Sequence, residues 1–300
     1  MRIAALVKIL LIALVCATGV PLAQADPLPS KPFFDKPFLF GVHRGGAKWR
    51  PEGTLKTFQE AAQTWPGILL ESDVRMTADG VVVMLHDATV DRTTNGTGAI
   101  ADLMWDYVKT LDAGYNFSAD GGETFPYRGK GYRIPKLGDV LRAQPESRFL
   151  IEFKDQHGIV DAAVRVMQEA NAVDRVLVAS FKSEFMTRAV TLEPRLATCF
   201  DSNSGAGLVL ALRNDNWEAL TPARDVFIFN YRRIERYRIT PEDFPRLKAK
   251  GIPLIAYTLN EPDQIREAIN HGVSGILTDR PDVMSEVLET LDLSSQTSER

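Results

Sequence analysis

The feature that most constrains this chain is an alternation of two spacings. Short apolar, β-branched runs recur along it, and between several of them lie stretches with the 3.6-residue periodicity of an amphipathic helix. Strands are expected at 38–42, 68–74, 81–85, 148–153, 176–180, 195–200, 225–230, 252–257 and 275–278. Helices are expected at 54–64, 159–171, 182–192, 240–250 and 263–271. Strand and helix in turn build βα units around a parallel sheet. A chain of 300 residues suits one α/β domain of the TIM-type (β/α)8 barrel kind, which typically takes about 250 residues. Nine strand runs nevertheless compete for eight places. The link between the second and third, Arg75-Met76-Thr77-Ala78-Asp79-Gly80, is too short for a parallel crossover of about a dozen residues. The barrel is therefore expected to be irregular near its second and third strands, with 81–85 turning back as a hairpin or breaking the pattern. Residues 116–133, NFSADGGETFPYRGKGYR, read as a long irregular insertion, and such loops are often functional.

The N-terminus reads as a signal peptide over residues 1–25. Arg2 and Lys8 precede an apolar run from Ile9 to Val20, and Ala23-Gln24-Ala25 forms a small-x-small cleavage pattern. A retained anchor is the competing reading, with Lys8 snorkelling to the interface. The Pro-rich stretch after Ala25, in place of a charge cluster, favours cleavage. The expected layout is a linker at 26–37, a single domain at 38–290 and a polar tail at 291–300, in a periplasmic or secreted protein with no stable membrane insertion. Loss of the leader takes the formal charge from −4 to −6, which argues against nucleic acid as a partner. Cys199 alone then remains, so no intrachain disulfide is expected, and in RLATCF it reads as a buried strand residue.

Chemistry is expected where polar residues end the apolar runs: His43-Arg44, Glu71 and Asp73, His86-Asp87, and Glu152 and Lys154. In a parallel barrel the C-terminal strand ends form the mouth that carries the active site. Glu71 and Asp73 are two apart and so share a strand face, and Glu152 can complete a trio of carboxylates. Three such groups repel one another unless a cation lies between them, and an all-oxygen set favours Ca²⁺ or Mg²⁺ over zinc. Lys154 repeats the two-residue spacing from Glu152, and the Arg44 guanidinium can grip two phosphate oxygens. His43 and His86 are two of four histidines and suit general acid and base work near neutral pH. His157 and His271 are expected on the surface. Asp87 either orients an imidazole or caps a segment. Glu52, at the opening of the first helix, is expected to be a cap rather than a ligand.

These residues sit in GVHRGG, RPEGT, ESDVRMTADGVVVMLHD, VDRTTNGTG, LIEFK, AYTLN and GVSGILTDRP, in that order. From Phe38 to Met284 the chain resembles the glycerophosphodiester phosphodiesterase family. The resemblance implies a TIM barrel with His43 and His86 as catalytic acid and base. It also implies a divalent cation held by Glu71, Asp73 and Glu152, and phosphate contacts from Arg44 and Lys154. The family's usual proposal is attack by the neighbouring glycerol hydroxyl on phosphorus, giving a cyclic phosphate that water opens to glycerol 3-phosphate, with release of an alcohol. The chain departs from the family at Gly53, usually Asn, and at Tyr257, usually Trp. Small, soluble glycerophosphodiesters are the expected substrates. Tyr115, Phe117, Phe125 and Tyr127 in and around the insertion motivate an alternative, lysophospholipase D-type activity with these rings against an acyl chain. A non-catalytic binding protein is expected to lack one of the histidines, and both are present.

Overall fold

The computed structural model describes residues 31–35, 40–214 and 217–298, with the side chains of the final helix described as far as Leu291. The expected signal peptide, the linker up to residue 30 and residues 38–39 of the first expected strand lie outside the described residues. The strands are β1 Phe40–Val42, β2 Leu69–Met76, β3 Val82–Met84, β4 Arg148–Phe153, β5 Val176–Ala179, β6 Ala197–Thr198, β7 Phe227–Asn230, β8 Leu254–Tyr257 and β9 Gly275–Thr278. Eight of them run parallel in the order β6-β5-β4-β2-β1-β9-β8-β7. The ends of this path meet at a parallel bridge between Cys199 and Val226, where Phe200 N–H donates to the Val226 carbonyl at 2.9 Å and Val226 N–H to the Thr198 carbonyl at 3.0 Å. The sheet thus closes as the TIM-type barrel that the alternation implies.

β3 is the supernumerary run. It pairs antiparallel with β2, Val74 opposite Met84 and Met76 opposite Val82. The turn closes because Thr77 N–H donates to the Val81 carbonyl at 3.0 Å, Val81 N–H donates to the Thr77 hydroxyl at 3.0 Å, and Gly80 takes the left-handed φ of 81° that a side chain would resist. The hairpin costs the barrel no place, because β4 takes up the next parallel position beside β2.

Helices cover the outside: α1 Leu55–Thr64, α2 Trp105–Val108, α3 Leu137–Ala143, α4 Ile159–Glu169, α5 Ser183–Leu192, α6 Ser202–Arg213, α7 Phe244–Ala249, α8 Pro262–Asn270 and α9 Pro281–Ser298. α9 carries its backbone past residue 290 into the stretch read as tail. Alternate strand residues divide the core. Val42, Leu70, Phe149, Ile151 and Val178 point outward into the strand–helix layer, while Leu69, Leu150, Leu177, Cys199, Ile255 and Leu277 fill the barrel interior. Cys199 is buried, as its apolar flanks lead one to expect. Phe33 joins the interior set, and Lys31 anchors the same stretch on the Leu196 carbonyl and the Asp225 carboxylate, each at 2.7 Å. Residues read from sequence as linker therefore form the barrel floor.

Candidate active site

The alternation that puts Leu69, Leu150 and Leu277 inside the barrel also points Glu71, Asp73, Glu152 and Asp279 inward two or four residues later, at the C-terminal mouth. Register does the rest: Asp73 lies directly opposite Glu152 across the β2–β4 ladder, and Glu71 opposite Leu150. Glu71 and Asp73 are almost wholly buried, at 4% and 2% exposure. Burial is the main reason that the Glu71 carboxyl rises to about 8, with Asp73 and Glu152 adding to the rise and His43 and the Arg44 N–H opposing it.

Lys154 meets this charge from β4's end, its Nζ 2.8 Å from Asp73 and 2.7 Å from Glu152. Burial alone pulls its pKa down, but the two carboxylates outweigh that and hold it as an ammonium. Arg44 donates its backbone N–H to Glu71 at 2.7 Å, from a left-handed φ of 53° that turns the chain sharply after β1. Its guanidinium reaches Glu52 at 3.3 Å. Its Nε is buried without a hydrogen bond and stands 3.7 Å from Asp73. Among the described residues no three His, Cys, Asp or Glu side chains are arranged to hold a metal ion; Lys154 occupies the position between Asp73 and Glu152.

The two histidines are held alike by different neighbours. His43 has its Nδ1 2.7 Å from Asp279. Asp279 in turn accepts from Asn260 Nδ2 at 3.0 Å and donates its N–H to Asn260 Oδ1 at 2.8 Å. His86 follows the hairpin, where Leu85 N–H donates to the Asp73 carbonyl at 3.0 Å, and its Nδ1 lies 2.6 Å from Asp87. Asp87 also accepts from Arg92 Nε at 2.5 Å. Although burial pushes Asp87 up, Arg92 and His86 hold it at about 2. Asp279 is likewise lowered, the hydrogen bond and charge of His43 outweighing its burial. An ionised carboxylate only accepts, so each imidazole carries a proton on Nδ1, which leaves Nε2 as the nitrogen for acid and base work. Burial pulls the His43 pKa down, but Glu71 and Asp279 reverse that and the net direction is upward.

His43, Glu71 and Glu152 line a cavity of about 560 Å³. His86, Arg44, Asp73 and Glu52 line a smaller hollow beside it. All seven residues expected from the sequence are thus at the mouth, with the histidines in separate hollows, Glu71 of β2 lining the one and Asp73 of β2 the other. Two expectations change. Glu52 caps nothing, since Thr54 caps α1; its carboxylate receives Arg92 at 2.7 and 2.9 Å as well as Arg44. His271 is half-buried, with its Nδ1 2.6 Å from the Tyr231 hydroxyl, whereas His157 is exposed. Asp87 takes the orienting role of the two it was given. Asp279, Asn260 and Arg92 were missed, although all three sit in motifs read from the chain; Asp279 and Asn260 follow β9 and β8 as polar residues at strand ends.

The departures from the family pattern are accommodated. Gly53 adopts φ 66°, a left-handed conformation that Asn, the family's usual residue, tolerates better than most side chains, and Tyr257 lines the large cavity. The insertion's aromatic rings turn to each other: Phe117, Tyr127 and Tyr132 stack edge to face at 5.2 and 5.1 Å, and Arg128 lies over Tyr115 and Phe125. None of the four rings proposed for an acyl chain lines either hollow.

Residues 43–283 match the glycerophosphoryl diester phosphodiesterase family. The chain is 32% identical over 253 residues to a glycerophosphodiester phosphodiesterase of Caldanaerobacter subterraneus subsp. tengcongensis, covering 81% of this chain and 94% of that one. It is 27% identical to another from Bacillus subtilis, covering 82% and 85%. Among solved structures it superposes on a phosphodiesterase of Oleispira antarctica in complex with the product sn-glycerol-3-phosphate, with TM-score 0.66, 21% identity and coverage of 84% and 97%. A glycerophosphoryl diester phosphodiesterase domain from Mycobacterium tuberculosis gives TM-score 0.70 at 18% identity, covering 85% and 100%.

Proposed function

The chain belongs to the glycerophosphoryl diester phosphodiesterase family and is a phosphoric diester hydrolase, and from that premise we propose that it cleaves glycerophosphodiesters by paired-histidine acid and base catalysis with a divalent cation. One observation carries the reading: two imidazoles, each with Nδ1 on an ionised carboxylate, stand at a mouth that also holds Arg44, Lys154 and three carboxylates. One imidazole takes the proton of the entering oxygen as its bond to phosphorus forms. The other gives a proton to the leaving alcohol oxygen as the P–O bond to it breaks. Hydrolysis then reverses the two roles and leaves glycerol 3-phosphate, the product found in the Oleispira antarctica relative. Arg44, with an Nε that makes no hydrogen bond, and Lys154 offer donors to the phosphate oxygens.

The donor chemistry suits a hard cation, although Lys154 stands between Asp73 and Glu152 in this arrangement. Glu71, Asp73 and Glu152 are oxygen donors at one mouth, and Glu71 is raised to about 8, mainly by burial, with the other two adding to the rise, a cost that a cation would remove. Glu71, Asp73 and Glu152 are the residues that would hold Ca²⁺ or Mg²⁺. Such an ion, when bound, neutralises charge on the phosphoryl oxygens. Soluble glycerophosphodiesters such as glycerophosphocholine are the substrates to assay first. Chelation is expected to abolish glycerol 3-phosphate release and added Ca²⁺ or Mg²⁺ to restore it; undiminished turnover in excess chelator rejects the metal. His43→Ala and His86→Ala are each expected to lower kcat by at least about a hundredfold, and near-normal turnover removes that residue from the mechanism. A leader cleaved after Ala25 would place the protein in the periplasm or outside the cell, and the mature N-terminus, expected at Asp26, is read by mass spectrometry of exported protein.

A further inference from the structure

We infer that Arg236 and Arg238 form an anion subsite in the large cavity, one that takes a second phosphate group carried by the alcohol of a glycerophosphodiester. The inference rests on the phosphodiesterase reading and adds a determinant of substrate choice. The chain is acidic overall, yet residues 231–238, YRRIERYR, hold four arginines against one glutamate. They follow β7 as the 3-10 helix Tyr231–Tyr237 and its cap, Arg238. Arg236 and Arg238 line the cavity of about 560 Å³ that His43, Glu71 and Glu152 also line.

This pair differs from ordinary surface arginines in partners, backbone and surroundings. Arg44, Arg92 and Arg224 each lie on a carboxylate, whereas among the described residues neither the Arg236 nor the Arg238 guanidinium has an ion-pair or hydrogen-bond partner. The carboxylates of the cavity are engaged elsewhere: Glu152 by Lys154, Glu71 by the Arg44 N–H, and Asp201 by Arg224 and by the cap of α6. An entering anion therefore meets two unspent guanidiniums. Arg238 also holds a left-handed φ of 52°, and the other described non-glycine residues in that region are Asn171 and Arg44. Asn enters it with little strain; the two arginines both border the site. Glycine would take the turn at 238 freely, and a strained residue persists only where its surroundings hold it. Arg213 does so, donating Nε to the Arg238 carbonyl at 2.9 Å and Nη2 to the same oxygen, while its Nη1 donates to Asp243 at 2.8 Å. The clamp fixes where the Arg238 side chain leaves the backbone. Phe200, Phe227 and Val209 line the cavity as well, and apolar walls concentrate the field of charges in a cleft. A guanidinium fork matches two phosphate oxygens. The volume is in the range of pockets that enclose whole organic ligands, about 300–1,000 Å³, so it can hold the alcohol and its second phosphate.

The second phosphate can be a monoester or a diester, and the assay separates the two. Loss of the diester is followed by phosphorus NMR for glycerophosphoglycerol, for glycerophosphoglycerol with a terminal phosphate, and for bis(glycerophospho)glycerol, with glycerophosphocholine as a reference. kcat/KM is expected to be at least about tenfold higher for one or both phosphate-bearing substrates than for glycerophosphoglycerol, the scale of a charged hydrogen bond. That ratio is expected to fall toward one as salt is raised, because both guanidiniums are exposed. Arg236→Gln and Arg238→Gly, the second of which keeps the left-handed turn, are each expected to lower the ratio about three- to tenfold. Arg236→Lys is expected to keep part of it. A merely structural role would lower kcat/KM for all substrates together and leave the ratio alone. Equal kcat/KM with and without the second phosphate, or a ratio that neither variant changes, overturns this inference alone. Inactivity toward every diester rejects the proposed phosphodiesterase mechanism and this inference with it.

Discussion

Arg92 touches neither hollow's catalytic nitrogen, yet it is tied to both halves of the site. It fixes Asp87, which orients His86, and it grips Glu52, which reaches Arg44. Its removal frees an imidazole and a guanidinium at once. Arg92→Ala is expected to lower kcat about ten- to a hundredfold, the range found when an outer partner of a site residue is lost. KM for the diester changes less, and Arg92→Lys restores part of the loss. The Lys variant distinguishes positioning from general damage: Arg92 is the strongest influence lowering the Asp87 carboxyl, so a cation restored at 92 is expected to recover part of kcat while KM stays near the wild-type value. A Lys variant as slow as the Ala variant counts against the chain of contacts. The seven residues read from the sequence were legible because each ends an apolar run, and a strand end in a parallel barrel has one destination. Arg92, Asp279 and Asn260 were not, because their roles are partnerships: Asp279 meets His43 across 236 positions, and no local pattern encodes which carboxylate faces which imidazole.

At the scale of elements, α6 shows why some helices escape a sequence reading. SNSGAGLVLALR lacks a clean apolar stripe, because one face borders the cavity and carries Gly205 and Ala206 where a core-packed helix carries larger side chains. What starts the helix is its cap. Asp201 accepts from Asn203 and Ser204 N–H at 3.1 and 3.0 Å, and the Asp201 N–H donates in return to the Ser204 hydroxyl. Asp201→Ala is expected to cost about 1–2 kcal/mol in denaturant unfolding. Burial pushes the Asp201 carboxyl up, but its hydrogen bonds and Arg224 overcome this and hold it below the ordinary value. A depressed folded-state pKa gives stability that is present above the unfolded value near 3.9 and lost as pH falls through the folded one. The wild-type advantage over Asp201→Ala therefore shrinks in acid; an advantage that is constant from neutral pH to below 3 disproves the charge contribution. The hairpin was the opposite case. A six-residue link too short for a crossover left β3 few options, and its Thr77 and Gly80 turn chemistry was visible in TADG.

For the whole molecule, activity and stability lie at opposite ends of one barrel. The mouth holds buried charge and the floor holds Phe33, 1% exposed among Leu69, Leu150 and Leu177. Phe33→Ala is expected to cost about 3–5 kcal/mol, read from the denaturant midpoint, with kcat per folded molecule unchanged; a shift under about 1 kcal/mol shows that the floor closes without it. The alternation of strand and helix made the barrel legible, but the floor was not, since PFF in a Pro-rich stretch has no periodicity to reveal its burial. The junction of β6 and β7 has a further consequence. The ladder there is a single bridge between two short strand ends, so closure relies on the side chains that span it: Asp225 accepts from the Thr198 N–H and hydroxyl, and Lys31 reaches Leu196 on one side and Asp225 on the other. Parting leaves β6 with only two residues of ordered strand, and an edge so short gives a second chain almost no ladder to extend. The junction with the shortest ladder is thus also a poor template for self-association.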